Sequence, residues 1–209
     1  FSLRQRVRLK PNETARITFS TAVAYSREHI LMLADKYHDI NIFERVERLA
    51  WTKAQIEMRH LNVGAREAHL FQRLAGRVLY SDNSLRPRSN VLALNKKTQS
   101  ELWKYGISGD LPIVLVRISV TDDLGMVRQI LRGHEYLRLK GLHIDLVILN
   151  DHPPSYLQSL QDEIQMQIRS TGMQTSQDKR GGVYLRRADI MTDEDKELLN
   201  TVARIVFVT

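Results

Sequence analysis

The first 24 residues alternate between apolar and polar positions with a period of two, which is typical of β-strands. The alternation predicts two strands, residues 1–10 and 14–23, joined by the turn-forming sequence Pro11-Asn12-Glu13. Two strands are not stable alone. We therefore expect this terminal β-hairpin either to pack on helices or to be the end of a sheet that begins before Phe1.

Residues 25–81 change to apolar spacings of three and four, which predict helices. Ser26 is a suitable N-cap for a helix over residues 27–37. A second helix is predicted over residues 42–60 and a third over residues 65–80, with Gly64 breaking the pattern between them. Loop-forming residues dominate 82–98, which we interpret as an irregular connection.

The second half alternates short β-branched apolar runs with helical patterns. Continuous apolar strands joined by helices are typical of parallel sheets that are buried on both faces. The order predicts an α/β fold with a four-stranded, largely parallel sheet and crossover helices. The predicted strands are 112–118, 144–149, 182–185 and 204–208, and the predicted helices are 122–140, 153–169 and 192–202. Three domains are predicted: a terminal hairpin (1–24), a helical linker block (25–98) and an α/β domain (99–209).

Composition narrows the function classes. The 209 residues include no cysteine, which excludes disulfides, thiolate metal sites and cysteine nucleophiles. No apolar run approaches the ~20 residues that cross a bilayer. The net charge of +7 is uneven, because residues 1–100 hold 18 basic and 9 acidic side chains while the remainder is slightly acidic. Without interleaved aromatic residues, this charge predicts a solvated face and no nucleic-acid partner.

Two places could carry chemistry. The Gly-rich stretch 106–110 precedes a strand, so it predicts a tight turn and not a phosphate loop. The carboxyl ends of the predicted strands bear Asn150, Asp151, His152 and Arg186. Ligands bind at such ends in open α/β sheets, so these four could converge on one edge. The competing interpretation is that Asn150 and Asp151 end a strand and cap the next helix.

The sequence contains little evidence for a metal site or for the paired carboxylates of a glycosidase. The seven histidines show no ligand spacing, and we predict neither a metal site nor a cofactor. Paired carboxylates for glycoside hydrolysis would need Asp110 to face Asp151 or Asp145. Asp145 interrupts an apolar strand and is expected to be a buried hydrogen-bonding residue.

Several ordered stretches resemble the cyclic β-1,2-glucan synthases, large bacterial inner-membrane enzymes. The longest is LWKYGISGDLPIVLVRI at residues 102–118. The others follow the same order along the chain: SRE at 26–28, ADKY at 34–37, LFQRLA at 70–75, HEYLRLKGL at 134–142 and DLVILN at 145–150.

The resemblance implies a segment that follows a carbohydrate-binding β-sandwich and precedes a catalytic part similar to cellobiose phosphorylases. The hairpin would then be a remnant of that sandwich. The family's catalytic residues lie outside this segment, so no catalytic residue is assigned. The resemblance also implies that the segment lies on the cytoplasmic side of the inner membrane without contacting the membrane itself.

The leading hypothesis is a non-catalytic connecting module that positions neighbouring domains of the same chain and contacts β-1,2-glucan. Trp103, Tyr105 and Asp110 are the candidate carbohydrate contacts, because aromatic faces stack on pyranose rings. The first alternative is a small enzymatic or ligand-binding α/β domain with its site at Asn150, Asp151 and His152. The second is a basic nucleic-acid-binding module formed by residues 1–100.

Overall fold

The structure is a computed structural model that describes residues 2–153 and 159–209. It groups the chain into two compact units, one that ends at Ile56 and one that comprises Glu57–Thr209. The boundaries predicted near residues 24 and 98 stay a prediction. No helix in the described ranges is long and apolar enough to cross a membrane.

In the first unit, the predicted hairpin is present only as its turn. The backbone N–H of Glu13 donates to the carbonyl of Lys10 at 3.0 Å, and Asn12 takes a positive φ of 65°. Residues 2–10 and 13–24 contain no assigned strand, which corrects the predicted strand pairing. The apolar side chains of these residues remain largely exposed, as in Leu3 and Val23, so little burial stabilises strand pairing here.

Two helices follow, α1 (Arg27–Tyr37) and α2 (Ile40–His60). The predicted N-cap is confirmed, because the Ser26 hydroxyl accepts from the backbone N–H of His29 at 3.2 Å. α2 begins two residues earlier than predicted, where the Asp39 carboxylate accepts from the N–H of Asn41 at 2.9 Å. The boundary between the two units falls within α2.

The second unit is built on the predicted parallel sheet. Its strands are β1 (Ile113–Ile118), β2 (Asp145–Asn150), β3 (Val183–Arg187) and β4 (Ala203–Val208). Their order is β3-β2-β1-β4, and each neighbouring pair is parallel. The predicted α/β fold with four parallel strands is therefore confirmed.

In the described part of this unit, five helices accompany the sheet. They are α3 (Ala65–Leu79), α4 (Ser89–Leu92), α5 (Leu124–Leu139), α6 (Ser159–Ser170) and α7 (Asp193–Val202). A seven-residue 3₁₀ helix, Gln99–Tyr105, precedes β1. The beginning predicted for α6, with Tyr156 and Leu157 facing inward, lies outside the described residues.

Each face of the sheet has its own apolar core, because successive strand side chains point to opposite faces. On one face, Val116 and Ile148 belong to the core that also holds residues of α3, α5 and α6. On the other, Leu115 and Val147 lie in the core that includes residues of the 3₁₀ helix and α7. The apolar core on each face of the sheet is therefore formed by helices and strands that lie far apart in the sequence.

α3 packs on α5 through an aromatic contact. The Phe71 and Tyr136 ring centroids lie 5.7 Å apart. A Cβ placed on Gly133 would lie 3.0 Å from the Phe71 ring, so the absence of a side chain at Gly133 lets the ring approach. The third predicted helix is therefore part of the core of the α/β unit.

Candidate functional site

The Gly-rich stretch forms the predicted tight turn before β1. Gly106 and Gly109 both adopt left-handed conformations, with φ of 72° and 76°. Gly106 ends the 3₁₀ helix, and a Cβ on Gly109 would lie only 2.8 Å from the Gln99 side chain. Both positions favour glycine because other residues rarely adopt a positive φ.

This turn holds Trp103 at the surface. The Trp103 indole N–H donates to the carbonyl of Ser108 at 3.3 Å, and the Gln99 side-chain amide donates to the same oxygen at 2.9 Å. The Trp103 residue nevertheless remains 65% exposed. The arrangement presents an anchored, open aromatic ring.

Tyr105 is held by its hydroxyl, and the carbohydrate contact predicted for it stays a prediction. Its hydroxyl donates to Oδ2 of Asp195 on α7 at 2.8 Å, and Thr192 donates to the same oxygen at 2.7 Å. The ammonium groups of Lys97 and Lys104 each lie 2.9 Å from Oδ1. Tyr105 thus ties the 3₁₀ helix to α7 and does not present a free hydroxyl.

Asp195 is the centre of this polar cluster and is only 1% exposed. Burial by itself would raise the pKa of the Asp195 carboxyl, but the hydrogen bonds from Thr192, Lys104, Lys97 and Tyr105 outweigh it. The pKa of Asp195 is held well below its ordinary value. Conversely, the hydrogen bond to Asp195 raises the pKa of both lysines. The carboxylate therefore stays ionised as the shared acceptor of the cluster.

The Arg186 and Asn150 side chains do not lie on the same face of the sheet. In the register, Arg186 pairs with Leu149 while Asn150 pairs with Arg187, so the two side chains leave opposite faces of the sheet. The Arg186 Nε donates to the Tyr105 carbonyl at 2.9 Å, and its Nη1 lies 2.7 Å from Asp178. The predicted convergence of all four residues on one edge is therefore not found, because strand alternation separates them.

Asn150, Asp151 and His152 are engaged in local structure at the carboxyl end of β2. Asn150 accepts from the His152 backbone N–H and donates to the Gln161 side chain, both at 3.0 Å. Asp151 pairs with Arg117 at 2.7 Å. His152 Nδ1 lies 2.9 Å from the Ser119 carbonyl. These contacts favour the structural interpretation, in which the residues end the strand and hold the loop.

A cleft opens at the opposite, amino ends of β1 and β4. It has a volume of about 380 Å³, and its polar side chains are Arg86, Gln99, Asp110 and Arg204. Asp110 is exposed, and Gln99 links the cleft to Trp103 through the shared Ser108 carbonyl. Two of the predicted carbohydrate contacts, Trp103 and Asp110, therefore lie in one region.

Sequence reasoning missed the two arginines of this cleft. Arg86 belongs to the irregular connection and Arg204 to β4, and no local pattern connects them. Arg86 is held by donation from Nη2 to the Thr201 carbonyl at 2.8 Å. Only the packing of β4 beside β1 brings the two arginines to one cleft.

Asp110 and Asp151 are not assembled as an acid pair for glycoside hydrolysis. Asp110 precedes β1, whereas Asp151 follows β2 and donates its backbone N–H to Ile118 at the carboxyl end of β1. The six residues of β1, at ~3.3 Å each, therefore separate the two acids by about 20 Å. Acid pairs in glycosidases lie about 5–10 Å apart. Asp145 is fully buried, and its Oδ1 accepts from the Gly181 N–H at 2.7 Å, which confirms the predicted buried hydrogen-bonding role.

Within residues 2–153 and 159–209, no three His, Asp or Glu side chains lie close enough together to bind a metal ion. The buried His134 instead lies with Nε2 3.0 Å from the Ile144 carbonyl. Burial lowers the pKa of His134. A neutral imidazole that donates through Nε2 is consistent with a core residue.

Comparison with known proteins agrees with the sequence resemblance. Residues 1–40 match the model of the glycosyl hydrolase 94 supersandwich domain. The chain is 35% identical over 209 residues to the cyclic β-(1,2)-glucan synthase NdvB of Rhizobium meliloti (strain 1021), and the match covers 99% of this chain. The chain spans only 7% of the length of that relative. Since the identity runs along the whole chain and the supersandwich match lies at its start, the chain corresponds to a segment of the cyclic β-(1,2)-glucan synthases.

Proposed function

We propose that this chain is a non-catalytic connecting module of a cyclic β-1,2-glucan synthase, and that it positions neighbouring domains and contacts the glucan. The observation that carries the proposal is the identity along the whole chain to a protein named as such a synthase. The partners would be other domains of the same protein and β-1,2-glucan. The parent enzyme would lie at the bacterial inner membrane, with this segment on the cytoplasmic side.

In this proposal, Trp103 and the neighbouring cleft contact the glucan. The exposed indole offers an apolar face to the C–H face of a pyranose ring, and its N–H is already bonded to Ser108, which restrains the ring. The Gln99 amide and Asp110 carboxylate line the adjacent cleft, where they can bond sugar hydroxyls. An aromatic platform beside a few polar groups is typical of small-ligand sites.

The positioning role is supported by how the second unit is tied together. The Asp195 cluster links α7 to the 3₁₀ helix, and Arg186 links β3 to the carbonyl that ends this helix. Trp103 lies within that same helix. A rigid platform of this kind suits a module that holds a ligand in a fixed place.

The non-catalytic assignment is supported by the acids themselves. Asp110 and Asp151 lie at opposite ends of β1, and Asp145 is buried against the Gly181 amide. Turnover or cleavage of a β-1,2-glucan by this chain, at a rate that falls on replacement of Asp110 or Asp151, would contradict the assignment.

The chain offers a matched tryptophan control for the glucan contact. Trp51 and Trp103 are 67% and 65% exposed. We would titrate linear and cyclic β-1,2-glucans into a Trp51→Phe protein, in which Trp103 is the sole tryptophan, and follow its fluorescence. A saturable blue shift is expected, and Trp103→Ala should weaken calorimetric binding about tenfold, at the upper end of about 0.5–1.5 kcal/mol for an aromatic contact. Absence of saturable binding, or equal losses for Trp51→Ala and Trp103→Ala, would refute the site.

A further inference from the structure

The cleft near Trp103 is lined by two arginines and one carboxylate, so it has an excess of positive charge that recognition of a neutral sugar does not require. Arg86 and Arg204 line it together with one carboxylate, that of Asp110. Within the described residues, neither arginine has a carboxylate within salt-bridge distance. Arg77, on neighbouring α3, is by contrast paired with Asp82. The cleft therefore has two guanidinium groups without an acidic partner.

The donors of the two arginines are only partly used. Arg86 donates through Nη2 to the Thr201 carbonyl, while its Nε is buried and has no partner among the described residues. Arg204 donates through Nη1 to the Ser81 hydroxyl and is otherwise exposed. A guanidinium presents five N–H donors, so both side chains retain capacity for an anion.

The remaining polar groups of the cleft suit a different part of a ligand. Asp110 accepts hydrogen bonds and repels anions, and the Gln99 amide both donates and accepts. A free inorganic anion would gain from the arginines but would also meet the Asp110 carboxylate. A ligand that combines an anionic group with hydroxyls satisfies both sets of side chains.

We infer that this cleft binds a phosphorylated sugar, with the phosphoryl group at Arg86 and Arg204 and the hydroxyls at Gln99 and Asp110. The choice of a sugar rests on the proposed glucan contact at Trp103, while the anionic group follows from the two arginines. The volume of about 380 Å³ lies within the range of about 300–1,000 Å³ that is usual for small-molecule sites. Charge-assisted bonds from guanidinium to phosphate are among the strongest that a surface site can form.

The test is calorimetric titration of this chain at low ionic strength with four probes: glucose 1-phosphate, glucose 6-phosphate, glucose and inorganic phosphate. At least one sugar phosphate is expected to bind tenfold or more tightly than both glucose and inorganic phosphate. The affinity should fall steeply with added salt, because phosphate contacts are screened. If neither sugar phosphate exceeds the other two probes, the inference is overturned, and inorganic phosphate alone binding as tightly indicates an unspecific anion site.

Two arginine variants make the test specific. Arg204→Gln removes one guanidinium and should weaken the sugar phosphate tenfold or more while leaving glucose unchanged. Arg88→Gln is the matched control, because Arg88 is an exposed arginine that does not line the cleft. Thermal unfolding of each variant checks that it remains folded. Equal affinities of the two variants for the sugar phosphate would overturn the inference.

The outcomes separate this inference from the proposed function. If Arg204→Gln still binds neutral β-1,2-glucan through Trp103 but no protein prefers sugar phosphates, only the anion site fails. If sugar phosphates bind while no glucan does, the glucan contact fails and the arginine site stands. Asp110→Asn adds a further check, since it should strengthen binding of inorganic phosphate by removing the carboxylate.

Discussion

Asp195 provides the sharpest test of how the second unit is held together. Its carboxylate accepts from Tyr105 and Thr192 on one oxygen and contacts Lys97 and Lys104 on the other. We predict that Asp195→Ala strongly destabilises the unit, because it leaves two ammonium groups near the protein interior without their shared acceptor. The change also releases the Tyr105 hydroxyl and therefore loosens the 3₁₀ helix that carries Trp103.

The magnitude follows from the exposure of the partners. Removing one member of a buried ion pair costs about 3–5 kcal/mol. Asp195 is 1% exposed, but the Lys97 and Lys104 side chains are 19% and 44% exposed, so water screens part of the loss. We therefore expect the low end, about 3 kcal/mol. With a denaturant slope of about 2 kcal/mol/M, this lowers the urea midpoint by about 1.5 M.

The assay is urea unfolding followed by circular dichroism, with Asp193→Asn as the control. Asp193 lies on the same helix and pairs with Lys196 at 3.0 Å, but its side chain is 93% exposed. The control should change the free energy of unfolding by less than about 0.5 kcal/mol. A loss below about 1 kcal/mol for Asp195→Ala, or one no larger than the control, would refute the buried-hub reasoning.

The same residue predicts a pH dependence of defined sign. Because the folded pKa of Asp195 lies below its ordinary value, the unfolded state binds more protons over the acid range. The stabilisation by Asp195 is therefore complete above the ordinary carboxyl pKa of about 3.9 and is lost as the pH falls below it. The difference in unfolding free energy between the natural chain and Asp195→Ala should shrink from pH 6 to pH 3. A difference that is constant with pH would contradict the ionised network.

Two further predictions concern the core. Phe71→Ala, at a position 2% exposed, should cost about 3–5 kcal/mol in urea unfolding, against less than about 1 kcal/mol for Phe43→Ala, whose residue is 40% exposed. Comparable losses would contradict the packing of α3. Because burial lowers the pKa of His134, stability should fall as the pH drops below about 6.5, and the His134 ring signals should titrate below that pH by NMR. A midpoint at or above 6.5 would contradict this burial.

The elements of the α/β unit were predictable because each carries a strong local signal. The apolar runs at β1 and β2 are buried throughout nearly their whole length, and buried parallel strands need that composition. Glycines at 106 and 109 likewise indicated the turn before β1, since few other residues adopt a positive φ. In these cases the determinant lies within a few residues of its effect.

The hairpin shows where a local pattern is insufficient. The alternation of residues 1–10 and 14–23 is clear, yet only the turn around Asn12 forms in the described chain. Strand pairing requires a further layer for the apolar face. The match of residues 1–40 to a supersandwich domain indicates the kind of fold in which this alternation belongs.

Some features of the candidate site can likewise be identified from the sequence, whereas others appear only in the structure. Trp103 and Asp110 were identified from residue type and position, and they lie at one region of the surface. Tyr105 is predicted as a carbohydrate contact from its residue type, whereas the hydrogen bond of its hydroxyl to Asp195, 90 residues later in the chain, could not be read from the local sequence. Arg186 was grouped with Asn150 because both end strands, although alternation along the register places them on opposite faces.

The residue pattern alone determined the four parallel strands and the helices of the α/β unit, because periodicity is a property of neighbouring residues. The family followed from the resemblance of ordered stretches of sequence. Tertiary structure alone decided which polar groups meet. Arg86 and Arg204 reach one cleft only because β4 pairs beside β1. Thr192 is a local partner of Asp195, whereas Lys97, Lys104 and Tyr105 reach this carboxylate only because α7 packs beside the 3₁₀ helix and the residues that precede it. Charges and hydrogen bonds act over a few ångströms in space, and sequence separation does not determine that distance.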